Sequence, residues 1–133
     1  MYLLDTNICI YIIKEKPAPV LKVLKKKIKD SIGVSSITVA ELQYGVEKSG
    51  WIEKNRVALL EFLSIFTIIH FDDKDAVEFG KIKAHLEREG RIIGPMDLLI
   101  SAHARSKNMT LVTNNMEEFG RINGLKLENW ALR

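Results

Sequence analysis

Short apolar or β-branched runs alternate with longer stretches of helical spacing along the whole chain. Tyr2-Leu3-Leu4, Ile32 to Ser36, Thr67 to Phe71, Met109 to Thr113 and Leu125 to Glu128 read as strands, mostly buried on both faces. Between them, apolar residues recur at helical steps. Val20, Leu21, Val23, Leu24 and Ile28 form one helical face, and Val57, Leu60, Phe62, Leu63 and Phe66 another. A further helix runs from Ala76 to Arg88 with Phe79, Ile82 and Leu86 on one side. Another, Met96 to Lys107, places Leu99, Ile100 and Ala104 inward.

The helix starts are marked by capping residues. Asp5 or Thr6 caps the first helix, and Ser36 or Thr38 the one after the second strand, where Glu41 follows Thr38 in capping-box spacing. Asp72 or Asp73 caps the long helix, Gly90 and Gly94 bracket the turn behind it, and Pro95 suits a first helical position. No repeat or low-complexity linker divides the chain, so residues 1–133 are expected to form one domain. Strands alternating with helices predict an α/β fold with a mainly parallel sheet covered on both faces. Functional residues of such a fold are expected beyond the carboxyl ends of its strands.

That rule selects a small set of positions. Asp5 ends the first strand, Glu41 lies one turn into the helix after the second, Asp97 sits in the first turn of the helix opened by Gly94-Pro95, and Asn115 follows the fourth strand. Taken singly, each has an ordinary reading. Asp5 is a helix cap, Glu41 the acid of a capping box, Asp97 a complement to a helix dipole and Asn115 a turn residue. Those readings do not explain why all of them meet at one end of the sheet. Carboxylates drawn together repel one another and rise in pKa unless a cation compensates. Hard oxygen donors suit Mg²⁺, for which Mn²⁺ can substitute, and no Cys/His cluster points to zinc.

Composition narrows the picture further. In a chain of 133 residues, 47% apolar content is enough to fill one core. No apolar run reaches the roughly 18–20 residues of a membrane-spanning helix. The first residues lack the basic flank and cleavage site of a signal peptide. Cys9 stands alone, which excludes an internal disulfide, fits a reducing cytoplasm as the expected location and reads as small core filler. The net charge of +3 is compatible with nucleic acid without requiring it. Lys22, Lys25, Lys26, Lys27 and Lys29 crowd one segment. They read first as a solvated helix face and second, with Arg91 and Arg105, as contacts to an RNA backbone. His70, His85 and His103 have no spacing that groups them. Trp51 is open between an exposed contact and tucked packing, and Trp130 is expected to anchor the last strand.

The segments LLDTNICI, SSITVAELQYG, GPMDLLISAHA and LVTNNMEEF, in this order and spacing, resemble the PIN-domain family. Within it they are similar to the VapC-like toxins of type II toxin–antitoxin systems, over Tyr2 to Trp130. The resemblance implies a three-layer α/β/α fold and a metal-dependent endoribonuclease, often acting on a structured tRNA loop. It also implies a cognate VapB-like antitoxin and a toxin homodimer. Position by position, Asp5, Glu41 and Asp97 match the metal-binding acids, and Thr6 and Asn7 the turn that shapes the pocket. Asn115 stands where many PIN domains carry a fourth acid, and Glu118 matches a further acid found in a subset. Thr113 and Asn114 are then expected to steady water or phosphate. The antitoxin is expected in an apolar groove that includes Leu60, Leu63 and Phe66, with a basic side chain reaching the acids.

Two other functions compete. A phospho-accepting receiver domain would use Asp5, Asp72 or Asp73, and Thr113. The first strand, however, ends in one acid rather than a pair, and no Lys-Pro follows a late strand. A PIN-like scaffold that binds RNA or protein without cutting draws on the neutral Asn115, against the three retained acids.

Overall fold

The computed structural model describes residues 1–131; Leu132 and Arg133, the last positions of the expected single domain, lie outside the described residues. The chain runs β1 (Tyr2–Leu4), α1 (Thr6–Lys14), α2 (Ala18–Lys27), β2 (Ile32–Ser35), α3 (Ser36–Glu47), α4 (Ile52–Leu63) and β3 (Thr67–Ile69). It continues through α5 (Asp73–Arg88), α6 (Pro95–Ser106), β4 (Thr110–Val112), α7 (Met116–Phe119) and β5 (Leu127–Glu128). The strands form a five-stranded sheet of order β3-β2-β1-β4-β5, and every pairing is parallel.

β1 lies at the centre, with Leu3 opposite Leu111 and Leu4 opposite both Val34 and Val112. Successive strand residues point to opposite faces, so this register separates two cores. Leu3 and Leu111 join Ile82, Leu86, Leu98 and Ile100 beneath α5 and α6. Leu4, Val34 and Val112 join Ile8, Ile12, Leu42, Leu59 and Phe62 beneath α1 to α4. Helices therefore cover both faces, as the alternation predicts. Trp130 closes the far side: it is buried, meets the Tyr2 ring edge-on at 5.4 Å and donates from Nε1 to Glu128 Oε1 at 3.0 Å.

Local details depart from the sequence reading. β3 is an edge strand with Thr67 and Ile68 exposed, not a strand buried on both faces. On α4 the buried side chains are Leu59 and Phe62, while Val57 and Leu60 face outward. Leu59, Phe62, Leu63 and Phe66 satisfy the same helical spacing from a neighbouring start, so periodicity alone does not choose between the two faces. Likewise Leu98, not Leu99, is buried on α6. α3 is capped by Ser35, whose Oγ accepts from Ile37 N at 3.1 Å, rather than by Ser36 or Thr38. β2 remains extended through Ser35, which moves the cap one residue earlier. The Thr38–Glu41 capping box does not form, because Thr38 is buried and Glu41 meets Thr6 instead.

The long helix follows expectation more closely. Asp72 caps α5, and Asp75 returns the bond by accepting from Asp72 N at 2.8 Å. Gly90, at φ 66, takes the left-handed conformation that ends this helix, which a side chain would resist. Among the described residues, no helix is long and apolar enough to cross a membrane.

Candidate active site

Asp5 is the first residue beyond β1. Its backbone N–H donates to Val112 O at 3.0 Å, which ties it to the end of β4. Its Oδ1 caps α1 by accepting from Ile8 N at 2.9 Å, and its Oδ2 accepts from Thr113 Oγ1 at 2.5 Å. Thr113 in turn accepts from Asn115 N at 2.9 Å, so one hydroxyl shapes both the acid and the loop that follows β4. Burial pushes the Asp5 carboxyl up from its ordinary value. The bonds from Thr113 and Ile8 pull it down, and the Glu41 charge pushes it up again.

Glu41 comes from the second turn of α3. The Thr6 hydroxyl donates to its Oε1 at 2.6 Å, which fixes it beside the start of α1. Asp97 occupies the first turn of α6, where the helix N-terminus favours its charge. Burial outweighs that preference, and together with a hydrogen bond to Glu118 and the charges of Glu118, Asp5 and Glu41 it pushes Asp97 up to about 6. This one carboxyl therefore has the other three acids as neighbours. Glu118, on α7, accepts from Asn115 Nδ2 at 3.1 Å. Asn115 thus orients an acid at the place where it lacks one of its own.

The remaining expected residues are placed unevenly. Asn7 is exposed in the first turn of α1. Asn114 is exposed too, and its amide donates to the Tyr11 hydroxyl at 2.7 Å. Tyr11 was invisible to sequence reasoning, since a half-buried tyrosine on an apolar helix gives no signal. Arg105 is engaged by Glu78 at 2.6 Å and by Asn123 O at 3.1 Å, so it is not a free cation for RNA. The lysine-rich α2 has Lys27 Nζ 5.3 Å over the Tyr2 ring, at the start of β1, whereas the acids follow its end. Trp51 is 73% exposed. The apolar groove expected along Leu60, Leu63 and Phe66 lies elsewhere: Leu60 is exposed and Phe66 buried. A cavity of about 420 Å³ opens instead between α1, α3 and α4, lined by Ile10, Ile13, Leu42, Val46 and Leu59 and reaching Thr6 and Glu41.

The family model for the PIN domain matches residues 2–125. The chain belongs to the PIN-domain family. Among its PIN relatives, Ribonuclease VapC2 of Haemophilus influenzae is 48% identical over 130 residues, covering 98% of both chains. The tRNA(fMet)-specific endonuclease VapC of Shigella flexneri is 42% identical over 130 residues, again 98% of each. In three dimensions the chain resembles the crystal structure of VapBC2 from Rickettsia felis bound to a DNA fragment from their promoter. The TM-score is 0.92, with 48% identity over 97% of this chain and 98% of that one.

A PIN ribonuclease implies a divalent cation, and the acids here can be tested against it. Among the described residues, no three His, Cys, Asp or Glu side chains form a ready cage. Mg²⁺ does not need one, since it usually keeps several waters and takes one or two carboxylates. The donor chemistry fits. Each Asp5 oxygen accepts one hydrogen bond and keeps a further lone pair, and the like charge gathered around Asp97 is of the kind a cation relieves.

Proposed function

We propose that this protein is the toxin of a VapBC-like type II toxin–antitoxin system and that it hydrolyses phosphodiester bonds in RNA with Mg²⁺, or with Mn²⁺ in its place. The observation that carries this reading is the meeting of Asp5, Glu41, Asp97 and Glu118 beyond the carboxyl ends of β1, β2 and β4. The Haemophilus influenzae relative, a ribonuclease, and the Shigella flexneri relative, a tRNA(fMet)-specific endonuclease, support it.

Asp5 and Asp97 would hold the ion, with Glu41 beside it and Glu118 adding charge through its bond to Asn115. Bound there, a divalent ion supplies water activation and offsets charge on the phosphate. The protein's own groups do the positioning. Thr113 holds Asp5 in one orientation, and Thr6 holds Glu41. Glu41 can then take the proton of the attacking water. Asn7 and Asn114, exposed at the start of α1 and after β4, would meet the RNA backbone together with Thr6.

The substrate is a structured RNA such as tRNA, a reading that the Shigella flexneri relative supports. The partner is a VapB-like antitoxin in an otherwise homodimeric toxin, working in the cytoplasm, with residues 1–133 as one PIN domain. An amphipathic antitoxin segment would lie in the groove lined by Ile10, Leu42 and Leu59 and send a basic side chain toward Glu41. Purified protein incubated with unfractionated tRNA tests the reading. Discrete cleavage with Mn²⁺ that EDTA abolishes supports it, and intact RNA, or cleavage undiminished by EDTA, overturns it.

A further inference from the structure

Behind the acid cluster lies a buried polar chain that the proposed mechanism does not use. Ser35, Asp75 and His103 are each 0% exposed, and they come from the end of β2, the first turn of α5 and the last turn of α6. His103 Nδ1 is 2.7 Å from Ser35 Oγ, and its Nε2 is 3.5 Å from Asp75 Oδ2. Ser35 Oγ already accepts from Ile37 N at 3.1 Å, so its own proton is free to go to Nδ1. That leaves the Nε2 proton facing Asp75. Burial, the largest influence, lowers the His103 pKa; Asp75 and Asp72 oppose it, and Lys107 adds to it. A neutral ring that accepts from Ser35 is consistent with that balance.

The residue types are those of a nucleophilic triad, but the arrangement cannot act as one. All three side chains are sealed from solvent, and the serine meets Nδ1 rather than the nitrogen opposite the acid's usual partner. What the chain does is mechanical. Ser35 is the N-cap of α3, the helix that carries Glu41. The neighbouring Ser36 accepts from Phe71 N at 3.0 Å, and the Phe71 ring stands edge-on to His103 at 5.5 Å. The start of α3 is therefore pinned to α6, which carries Asp97, and to the segment after β3.

We propose that His103 is a positioning residue for Glu41: by bonding Ser35 Oγ it sets where α3 begins, and so where the Glu41 carboxylate stands against Thr6 and Asp97. The helix between Ser35 and Glu41 is rigid, so a shift at the cap is passed to the acid. Misplacement by about 1 Å can cost up to about 10²-fold in rate. The catalytic consequence rests on the nuclease reading above; the structural one does not.

Cleavage of unfractionated tRNA with Mn²⁺, well below the melting temperature of each variant, tests both. His103→Leu removes the acceptor. Ser35→Gly breaks the link while largely keeping the cap, because glycine is tolerated there. Each is expected to lower kcat about tenfold with KM unchanged, and the double variant should be no worse than the poorer single one. His103→Asn, whose Oδ1 stands where Nδ1 does and can still accept from Ser35, should recover most of the rate. Wild-type kcat in folded His103→Leu and Ser35→Gly, or fully additive losses, would overturn the proposal. The carbon-13 resonance of the Glu41 carboxyl decides the case without activity. A shift in His103→Leu that is absent in His103→Asn supports positioning even if the wild type fails to cut RNA, and no shift in either contradicts it.

Discussion

The Thr6 hydroxyl donates to Glu41 Oε1 across 2.6 Å and so joins the first turn of α1 to the second turn of α3. Asp5 is held the same way, by Thr113 from the other side of β1. Two of the acids are thus steadied by threonines from separate elements, whereas Asp97 has another acid, Glu118, beside it. The site fixes the directions of its carboxylates and leaves their mutual repulsion to be relieved by something that binds.

Thr113 offers the first test. Thr113→Val keeps the shape but removes the donor to buried Asp5 and the acceptor for Asn115 N. An unpaired buried group costs about 1–3 kcal/mol, so urea unfolding should show a loss of that size. Thr113→Ser, which keeps the hydroxyl, should stay near the wild type. Equal stability of the valine variant would mean that this bond contributes nothing.

The second test uses pH on the metal-free protein. Asp97 titrates near 6 when folded, against an ordinary value of 3.8. The folded state then holds an extra proton between these values, so this group's contribution to stability is full below 3.8 and is lost as pH rises through about 6. Asp97→Asn has no such proton to lose. It should raise the melting temperature relative to wild type at about pH 7 and much less at about pH 4.5. An identical difference at both values would contradict the raised pKa.

A divalent ion that binds only the folded site should stabilise the protein by mass action. The gain is about 2.7 kcal/mol at a concentration a hundredfold above its dissociation constant. Calorimetry with and without Mn²⁺ should show the shift in the wild type and a much smaller one in Asp5→Ala. The same shift in both proteins would place the ion elsewhere.

Much of this was legible in the sequence, for physical reasons. Asp5, Glu41, Asp97 and Asn115 could be placed because each follows a strand or opens a helix, and a parallel sheet gathers such positions at one edge. Asp72 was one of the two caps that the sequence offered for α5, and the answering bond from Asp75 came with the structure. The faces of α4 and α6 were harder. Leu59 and Leu60, or Leu98 and Leu99, differ by one helical step and are chemically alike, so only tertiary packing decides between them. The cap on α3 failed similarly, because adjacent serines are equally good caps and the length of β2 makes the choice. His103 gave no signal at all, since its partners Ser35 and Asp75 come from remote segments of the chain.

Asn115 and Glu118 test how the site makes up its charge. Asn115 donates to Glu118 Oε2 at 3.1 Å, so the amide turns the acid toward Asp97 rather than replacing it. Asn115→Asp should tighten Mn²⁺ binding while destabilising the metal-free protein, because two carboxylates then face each other. Glu118→Ala should weaken cleavage more than Asn115→Ala. Mn²⁺ titration of the three variants, followed by calorimetry and by RNA cleavage, checks both expectations. Unchanged affinity in the aspartate variant together with full activity in Glu118→Ala would remove both residues from the site.

The central claim is that the acids serve RNA cleavage rather than the core, and Asp97 bears on it most directly. The measurement is the rate of tRNA cleavage by purified Asp97→Ala beside the wild type, with Mn²⁺ present, contaminating nucleases excluded and folding verified by circular dichroism. Asp5→Ala and Glu41→Gln serve as parallel samples. The expected result is a folded Asp97→Ala protein with cleavage abolished, and the same loss in the two companions. A folded Asp97→Ala protein that cuts tRNA at the wild-type rate would contradict the account.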